Sequence, residues 1–140
     1  PRIVCEKFMV DESGDGLTDY KVMCFNGQIK CTFVCLNRGS QSGLNIDIYD
    51  EDWNLMPFER PLHPNSGIII SEPKNYDKML EISKELSKRI AFIRVDFYEV
   101  NGKLYIGEMT LYPGSGLEPF SPESYDYLLG SWLALPNRNI

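Results

Sequence analysis

Residues 91–116, AFIRVDFYEVNGKLYIGEMTLYPGSG, decide how the rest of the chain is read. Residues 92–98 are rich in β-branched and aromatic side chains, residues 104–111 alternate again, and Asn101-Gly102 between them is a strong hairpin signal. Each arm carries one carboxylate amid apolar neighbours, Asp96 on the first and Glu108 on the second. Strand side chains repeat every two residues, so a slip of one residue sends a side chain to the other face. A bare two-residue turn at Asn101-Gly102 sets Asp96 opposite Gly107 and turns Glu108 away. A three-residue loop, or one bulge with a left-handed Gly102, puts Arg94, Asp96, Glu108 and Thr110 on one face. The second register is expected, because separate faces would bury a charge without a partner.

An Asp and a Glu on adjacent strands, with an arginine beside them and a Gly-rich turn after them, suit a divalent cation that carries phosphates. Mg²⁺ takes one or two protein carboxylates and fills its shell with phosphate oxygens and water. A solvated ion pair between Arg94 and the acids has the same spacing, and spacing alone leaves both readings open.

The run RVDFYEVNGKLYIGEMTLYPGSG, residues 94–116, resembles the C-terminal signature of the ATP-grasp superfamily: an R-x-D strand, a hairpin and an E-x-N-x-x-P-G segment. The resemblance is closer still to the TupA-like branch, associated with polysaccharide and teichuronopeptide synthesis, and runs over nearly the whole chain. It implies ATP and Mg²⁺ as cofactors, with Asp96 and Glu108 as metal ligands and Arg94 beside the reacting phosphate. Thr110 stands where most members have Asn, as the third metal position. The Pro113-Gly114-Ser115-Gly116 stretch reads either as a plain turn or as one that presents backbone N–H groups to an anion, and on the second reading Ser115, with Ile106, joins the nucleotide-contacting set.

The formal charge of −6 on 140 residues argues against a nucleic-acid partner. With 43% hydrophobic residues the chain is long enough for one domain with a core. It shows neither a membrane-length apolar run nor a signal-peptide pattern, so a cytoplasmic protein without a membrane span is expected. The chain opens at Pro1 on an apolar segment, and the resemblance implies further N-terminal parts, including a Gly-rich lid. Residues 1–140 are therefore expected to be a single domain, the C-terminal nucleotide- and metal-binding portion of an ATP-grasp enzyme, with little activity when isolated.

Residues 2–10, RIVCEKFMV, read as a nearly continuous apolar strand. The resemblance makes it a hinge whose backbone pairs with adenine, with Glu6 and Phe8 beside the base. The DESGDG run at 11–16 opens like a calcium loop but has Val22 where the bidentate Glu belongs, so a polar turn is expected, with Asp11 within reach of a ribose hydroxyl.

Residues 19–36 form a second hairpin about Asn26-Gly27. A two-residue turn there gathers Tyr20, Val22, Cys24, Ile29, Cys31, Phe33 and Cys35 on a core face, with Asp19, Lys21, Met23, Lys30 and Thr32 on a wet one. Lys21 by position is a solvated lysine; the match of Asp19-Tyr20-Lys21 to the family's D-x-[KR] strand makes it a phosphate-contacting, catalytic candidate with Arg94. No C-x-x-C occurs, and Cys31 and Cys35 on one strand lie about 13 Å apart, too far for a disulfide or one zinc ion.

Residues 37–74 read as a long Pro-rich loop pinned by Trp53, Met56 and Phe58, with Asp47, Asp50, Glu51 and Asp52 as solvated surface. His63 has no nucleophile motif near it. Asn75 caps a helix over 75–89 with Met79, Ile82 and Leu86 at helical spacing. A second helix follows Ser121-Pro122, with Leu128, Leu129 and Trp132 for packing. No GxxxxGK[ST] loop occurs, which excludes a P-loop NTPase.

The fold expected is α+β: a mainly antiparallel sheet of two hairpins, both helices on one side and nucleotide on the other. The activity implied is ligation of a carboxylate to an amine through an acyl phosphate, on a cell-surface polysaccharide precursor bearing a uronic acid. The alternatives are a non-catalytic nucleotide-binding or scaffold module of polysaccharide assembly, or a glycosyltransferase by pathway.

Overall fold

The computed structural model describes residues 2–10, 16–38 and 43–135; Asp11, and the ribose contact expected of it, lie outside them. The elements in order are β1 (Asp19–Phe25), β2 (Gln28–Leu36), β3 (Asn45–Tyr49), α1 (Tyr76–Leu86), β4 (Phe92–Val100), β5 (Lys103–Thr110), a short 3-10 turn (Pro113–Gly116) and α2 (Ser124–Ser131). The strands make one five-stranded sheet in the order β3-β2-β1-β4-β5, antiparallel at every step. The α+β expectation holds, with β3 as an added edge strand.

Both hairpins close through two-residue turns whose residues all have positive φ: Asn26 51° and Gly27 79°, Asn101 52° and Gly102 73°. That is the geometry whose twist matches the strands it joins, and Asn-Gly adopts it at least cost. Each hairpin then carries one extra residue further along. In the first, Cys24 pairs with Ile29 but Met23 pairs with Cys31, so Lys30 is the bulge. In the second, Phe97 pairs with Ile106 but Asp96 pairs with Glu108, so Gly107 is the bulge. The expected face of Arg94, Asp96, Glu108 and Thr110 therefore forms by a different route, a two-residue turn corrected by a bulge five residues later.

The Lys30 bulge changes the expected faces of the first hairpin. Tyr20, Val22, Cys24, Ile29 and Val34 belong to one buried cluster, and Met23, Phe25, Cys31, Phe33 and Cys35 to the other. All three strand cysteines are buried and free as expected, but Cys24 faces away from Cys31 and Cys35. Thr32, expected on a wet face, is fully buried and bonds the Tyr76 hydroxyl at 3.0 Å.

A sheet that is apolar on both faces must be covered twice. Helix α1 brings Tyr76, Met79 and Leu80 to the first cluster, and α2 brings Leu129 to the second. The helices thus lie on opposite faces, correcting the expectation that both share one. Helix α1 starts at Tyr76 with Asn75 at the cap position but no side-chain cap; the Asn75 amide instead donates to the Gly102 carbonyl at 3.3 Å. It packs on β1 and β2 rather than behind β4 and β5. Helix α2 begins after Glu123, not Ser121, whose backbone is bridged to Glu59 and whose bond to Pro122 is cis.

Two further expectations are corrected. Residues 2–10 form no strand, and Ile3 and Phe8 are 93% and 86% exposed, because no described element lies alongside to pair with them. Asp47 is not solvated: it sits on β3, buried, and accepts from the Ser66 backbone N–H at 2.6 Å and the Ser66 hydroxyl at 2.5 Å. Asp50 closes its turn by accepting from the backbone N–H groups of Asp52 and Asn54. Trp53 does pin the long segment, stacking on Tyr49 with centroids 4.5 Å apart, and Phe58 is buried in the α2-side cluster.

Candidate functional site

The site follows from the register of β1, β4 and β5, the last at the sheet edge. On the sheet face that α2 partly covers, Lys21 on β1 is the direct partner of Asp96 on β4, which is the direct partner of Glu108 on β5. Asp19 and Arg94 lie two residues away on the same face, and Thr110 pairs with Arg94. Strand periodicity alone brings four of these side chains together; the Gly107 bulge brings Glu108 and Thr110.

Asp96 is the hub and is 2% exposed. Arg94 grips it with two bonds, Nε to Oδ1 at 2.6 Å and Nη2 to Oδ2 at 2.7 Å, and Lys21 Nζ also bonds Oδ2. Lys21 reaches back to Asp19 at 2.7 Å, and Arg38 approaches the same Asp19 oxygen at 3.0 Å. The second carboxylate oxygen of Asp19 is buried without a hydrogen-bond partner among the described residues. Glu108 stands at the mouth, its side chain 63% exposed; Thr110 donates to it at 2.7 Å and Arg94 lies 3.7 Å away.

Charge and desolvation act against each other here. Burial disfavours the Lys21 ammonium, but its bonds to Asp19 and Asp96 outweigh this and its pKa lies above the ordinary lysine value. The Thr110 hydrogen bond, then Arg94, holds the Glu108 carboxyl below its usual value although burial works the other way. Three acids and three bases leave the cluster neutral at pH 7, with Glu108 as the acid most open to solvent.

Two carboxylates and a hydroxyl in adjoining positions match the oxygen donors a hard divalent cation takes. Among the described residues no group of three or more His, Cys, Asp or Glu could hold an ion by protein alone. Both Asp96 oxygens are engaged by Arg94 and Lys21, and Glu108 is the carboxylate of this set that is open to solvent.

The other sequence candidates fall in different places. Ile106 pairs with Phe97 and so lies on the opposite face from Asp96. Ser115 sits exposed in the turn after β5 with φ 57°, and its neighbour Gly114, rather than Ser115, borders the cavity beside Lys21 and Arg94. Glu6 and Phe8 are exposed on the extended 2–10 segment. The sequence reading missed Arg38, Arg60 and the role of Asp19. Asp19 was legible, two residues from Lys21 on one strand; Arg38 and Arg60 lie on loops, where no periodicity points them at a face.

The sequence model described as TupA-like ATPgrasp matches residues 1–134 of the 140. The chain belongs to the TupA-like ATP-grasp family. No curated protein and no solved structure gave a significant match. For a TupA-like ATP-grasp protein, ATP-dependent ligase-type activity and nucleotide binding are the general properties of the family. The match spans both hairpins, so the acid-and-base cluster lies wholly within the TupA-like region. No helix among the described residues is long and apolar enough to cross a membrane.

Proposed function

We propose that this protein binds ATP with Mg²⁺ over the face carrying Asp96 and Glu108 and joins a carboxylate to an amine. The observation that carries the reading is the register: Lys21, Asp96 and Glu108 in line across three strands, with Arg94 bonded to the central acid.

Asp96 and Glu108, with the Thr110 hydroxyl beside them, are the residues that would hold the metal, which when bound neutralises phosphate charge. Arg94 and Lys21 supply the protein's own positive charge at the transferring group. In the first half-reaction a carboxylate oxygen of the substrate forms a bond to the γ-phosphorus and the bond to the β,γ-bridging oxygen breaks, giving an acyl phosphate and ADP. In the second, the amine adds to the acyl carbon, loses a proton, and inorganic phosphate leaves. Burial of Asp96, Lys21 and Arg94 keeps these charges in a low-dielectric surround where they act most strongly. In the turn after β5, Gly114 brings backbone beside Arg94, while the Ser115 N–H is already donated to the Tyr112 carbonyl at 3.2 Å. The exposed 2–10 segment, with Glu6 and Phe8, supplies unpaired backbone and one aromatic ring for the adenine. By resemblance the substrate is a cell-surface polysaccharide precursor bearing a uronic acid, handled in the cytoplasm.

A second reading, nucleotide binding without turnover, draws on the full engagement of Asp96 by Arg94 and Lys21. Incubation with ATP, Mg²⁺, a uronic acid and hydroxylamine separates the two. Ligation predicts acid-dependent ADP and a hydroxamate from the trapped acyl phosphate, both falling about 100-fold in Glu108→Gln. Binding of ATP with no acid-dependent ADP favours the scaffold. ADP release that Glu108→Gln leaves unchanged contradicts the site.

A further inference from the structure

One cavity adjoins the acid cluster and a second, larger one adjoins the first, and Arg60 borders both. The larger encloses about 490 Å³ between the sheet and α2, with Phe25, Phe33, Phe92, Phe120, Leu111 and Leu129 in its walls. The smaller, about 130 Å³, is bordered by Lys21, Arg38, Arg60, Arg94 and His63, with Glu118 as its one acidic lining residue among those described. Met23, Phe33, Pro113 and Glu118 border both, so the two spaces meet.

Arg60 is the unusual residue at this junction. It is 7% exposed, and its guanidinium lies 4.2 Å from the Phe120 ring centroid and 5.5 Å from that of Phe33. Its hydrogen bonds among the described residues run from Nη1 to Glu118, to the carbonyl at 2.7 Å and to the carboxylate at 3.0 Å. Its Nε–H is buried without a partner among the described residues. Burial draws the Arg60 pKa below the usual guanidinium value, with Glu118 and Asp126 opposing and Arg94 adding to the effect. Glu118 and the two rings offset part of the cost of burying this cation, and the Nε–H remains a buried donor that a bound anion would satisfy.

We infer that the two cavities together bind one amphipathic organic anion, its carboxylate in the small cavity beside Arg38, Arg60 and Arg94 and its apolar body between the sheet and α2. This deepens the ligase reading, and rests on it, by naming the class of acid that is activated. The small cavity shares Lys21 and Arg94 with the proposed phosphate site, so a carboxylate held there lies beside the group it would attack. The large cavity has few polar groups to replace the water around sugar hydroxyls, which makes a bare sugar acid a poor occupant. A uronic acid would enter as part of a molecule with an aromatic or alkyl portion.

The test is direct binding to the full chain without nucleotide or metal, by calorimetry. The probes are 4-phenylbutyrate, its neutral counterpart 4-phenylbutanol, and glucuronate. The expected result is phenylbutyrate at least about 10-fold tighter than either of the others, the scale of one satisfied charge-assisted bond. Arg60→Gln should bring phenylbutyrate down to the level of the alcohol. Because Arg60 also bonds Glu118, a second variant spares every hydrogen bond: Gly130→Leu, on α2 at the wall of the large cavity, where an added Cβ meets nothing within 4 Å. Filling that space should weaken both phenyl compounds about 10-fold or more with an unchanged circular dichroism spectrum. Equal binding of glucuronate, no binding of phenylbutyrate, or wild-type affinity in folded Arg60→Gln or Gly130→Leu protein overturns the inference. The readout contains no ATP, so it stands or falls separately from the Glu108→Gln turnover result.

Discussion

Lys21 shows how one side chain serves both fold and site. It bridges Asp19 and Asp96, two acids that are each 2% exposed, from the strand next to Asp96. Removing the ammonium while keeping the stem, as in Lys21→Met, is expected to cost about 3 kcal/mol in urea unfolding, the low end for breaking a buried pair, because Arg38 and Arg94 still hold the acids. No loss of stability would show that the arginines suffice. The alkaline side offers a second check. Burial pushes the Cys24 and Cys35 thiols from 9.0 up to about 11, and the bonds to Asp19 and Asp96 raise Lys21 from 10.5. In each case folding favours the protonated form, so the stabilisation is complete below the unfolded value and lost as pH rises through the folded one. The urea midpoint should therefore fall as pH climbs from 9, and again above 10.5; a midpoint flat to pH 11 would contradict these burials. At neutral pH, alkylation followed by mass spectrometry should find the exposed Cys5 labelled first and alone in the native state.

The bulges are the elements on which the site depends. Gly107 is the extra residue opposite Asp96 and Phe97, and a Cβ there would lie 2.7 Å from the Tyr98 ring. Gly107→Ala is expected to destabilise by about 1–3 kcal/mol, as overpacking does. Tyr98→Leu in the same chain should restore part of that, whereas additive losses would mean that the backbone, not the ring, is what the glycine spares. These bulges also mark the limit of what sequence could show. Asn26-Gly27 and Asn101-Gly102 announced both hairpins, and for the first the two-residue turn as well, because few pairs take two positive φ values cheaply. Nothing local announces an extra residue within a strand, so the faces of Cys31, Phe33 and Cys35 were inverted, while Asp96 and Glu108 were matched by requiring a partner for each charge. β3 was hidden for a related reason: Asn45–Tyr49 holds only two aliphatic residues, Ile46 and Ile48, within Pro- and Gly-rich sequence, and its Asp47 is buried through Ser66, a partner 19 residues on.

At the scale of the whole molecule, one sheet with two apolar faces explains both the helix placement and the location of the site. Continuous apolar runs such as the one in β2 signal burial on both sides, and α1 and α2 each cover one. The α2 face gives up part of its coverage to the charged cluster, the small cavity beside it and the larger cavity that adjoins that one, so the proposed function occupies the less completely packed side. The exposed 2–10 segment and the exposed apolar residues of β5, Ile106 and Met109, lie outside both cores. The central claim is that Asp96 and Glu108 share a cation that arrives with ATP. Calorimetry of the wild-type chain and Glu108→Gln, with ATP, Mg²⁺ and Mg-ATP titrated separately, tests it most directly, because the exposed Glu108 can be changed without disturbing the buried Asp96 cluster. The account predicts measurable binding of Mg-ATP, much weaker binding of ATP or Mg²⁺ alone, and loss of the Mg²⁺-dependent part in a folded Glu108→Gln protein. Mg-ATP binding that is the same with and without Glu108, or ATP binding indifferent to Mg²⁺, would contradict it.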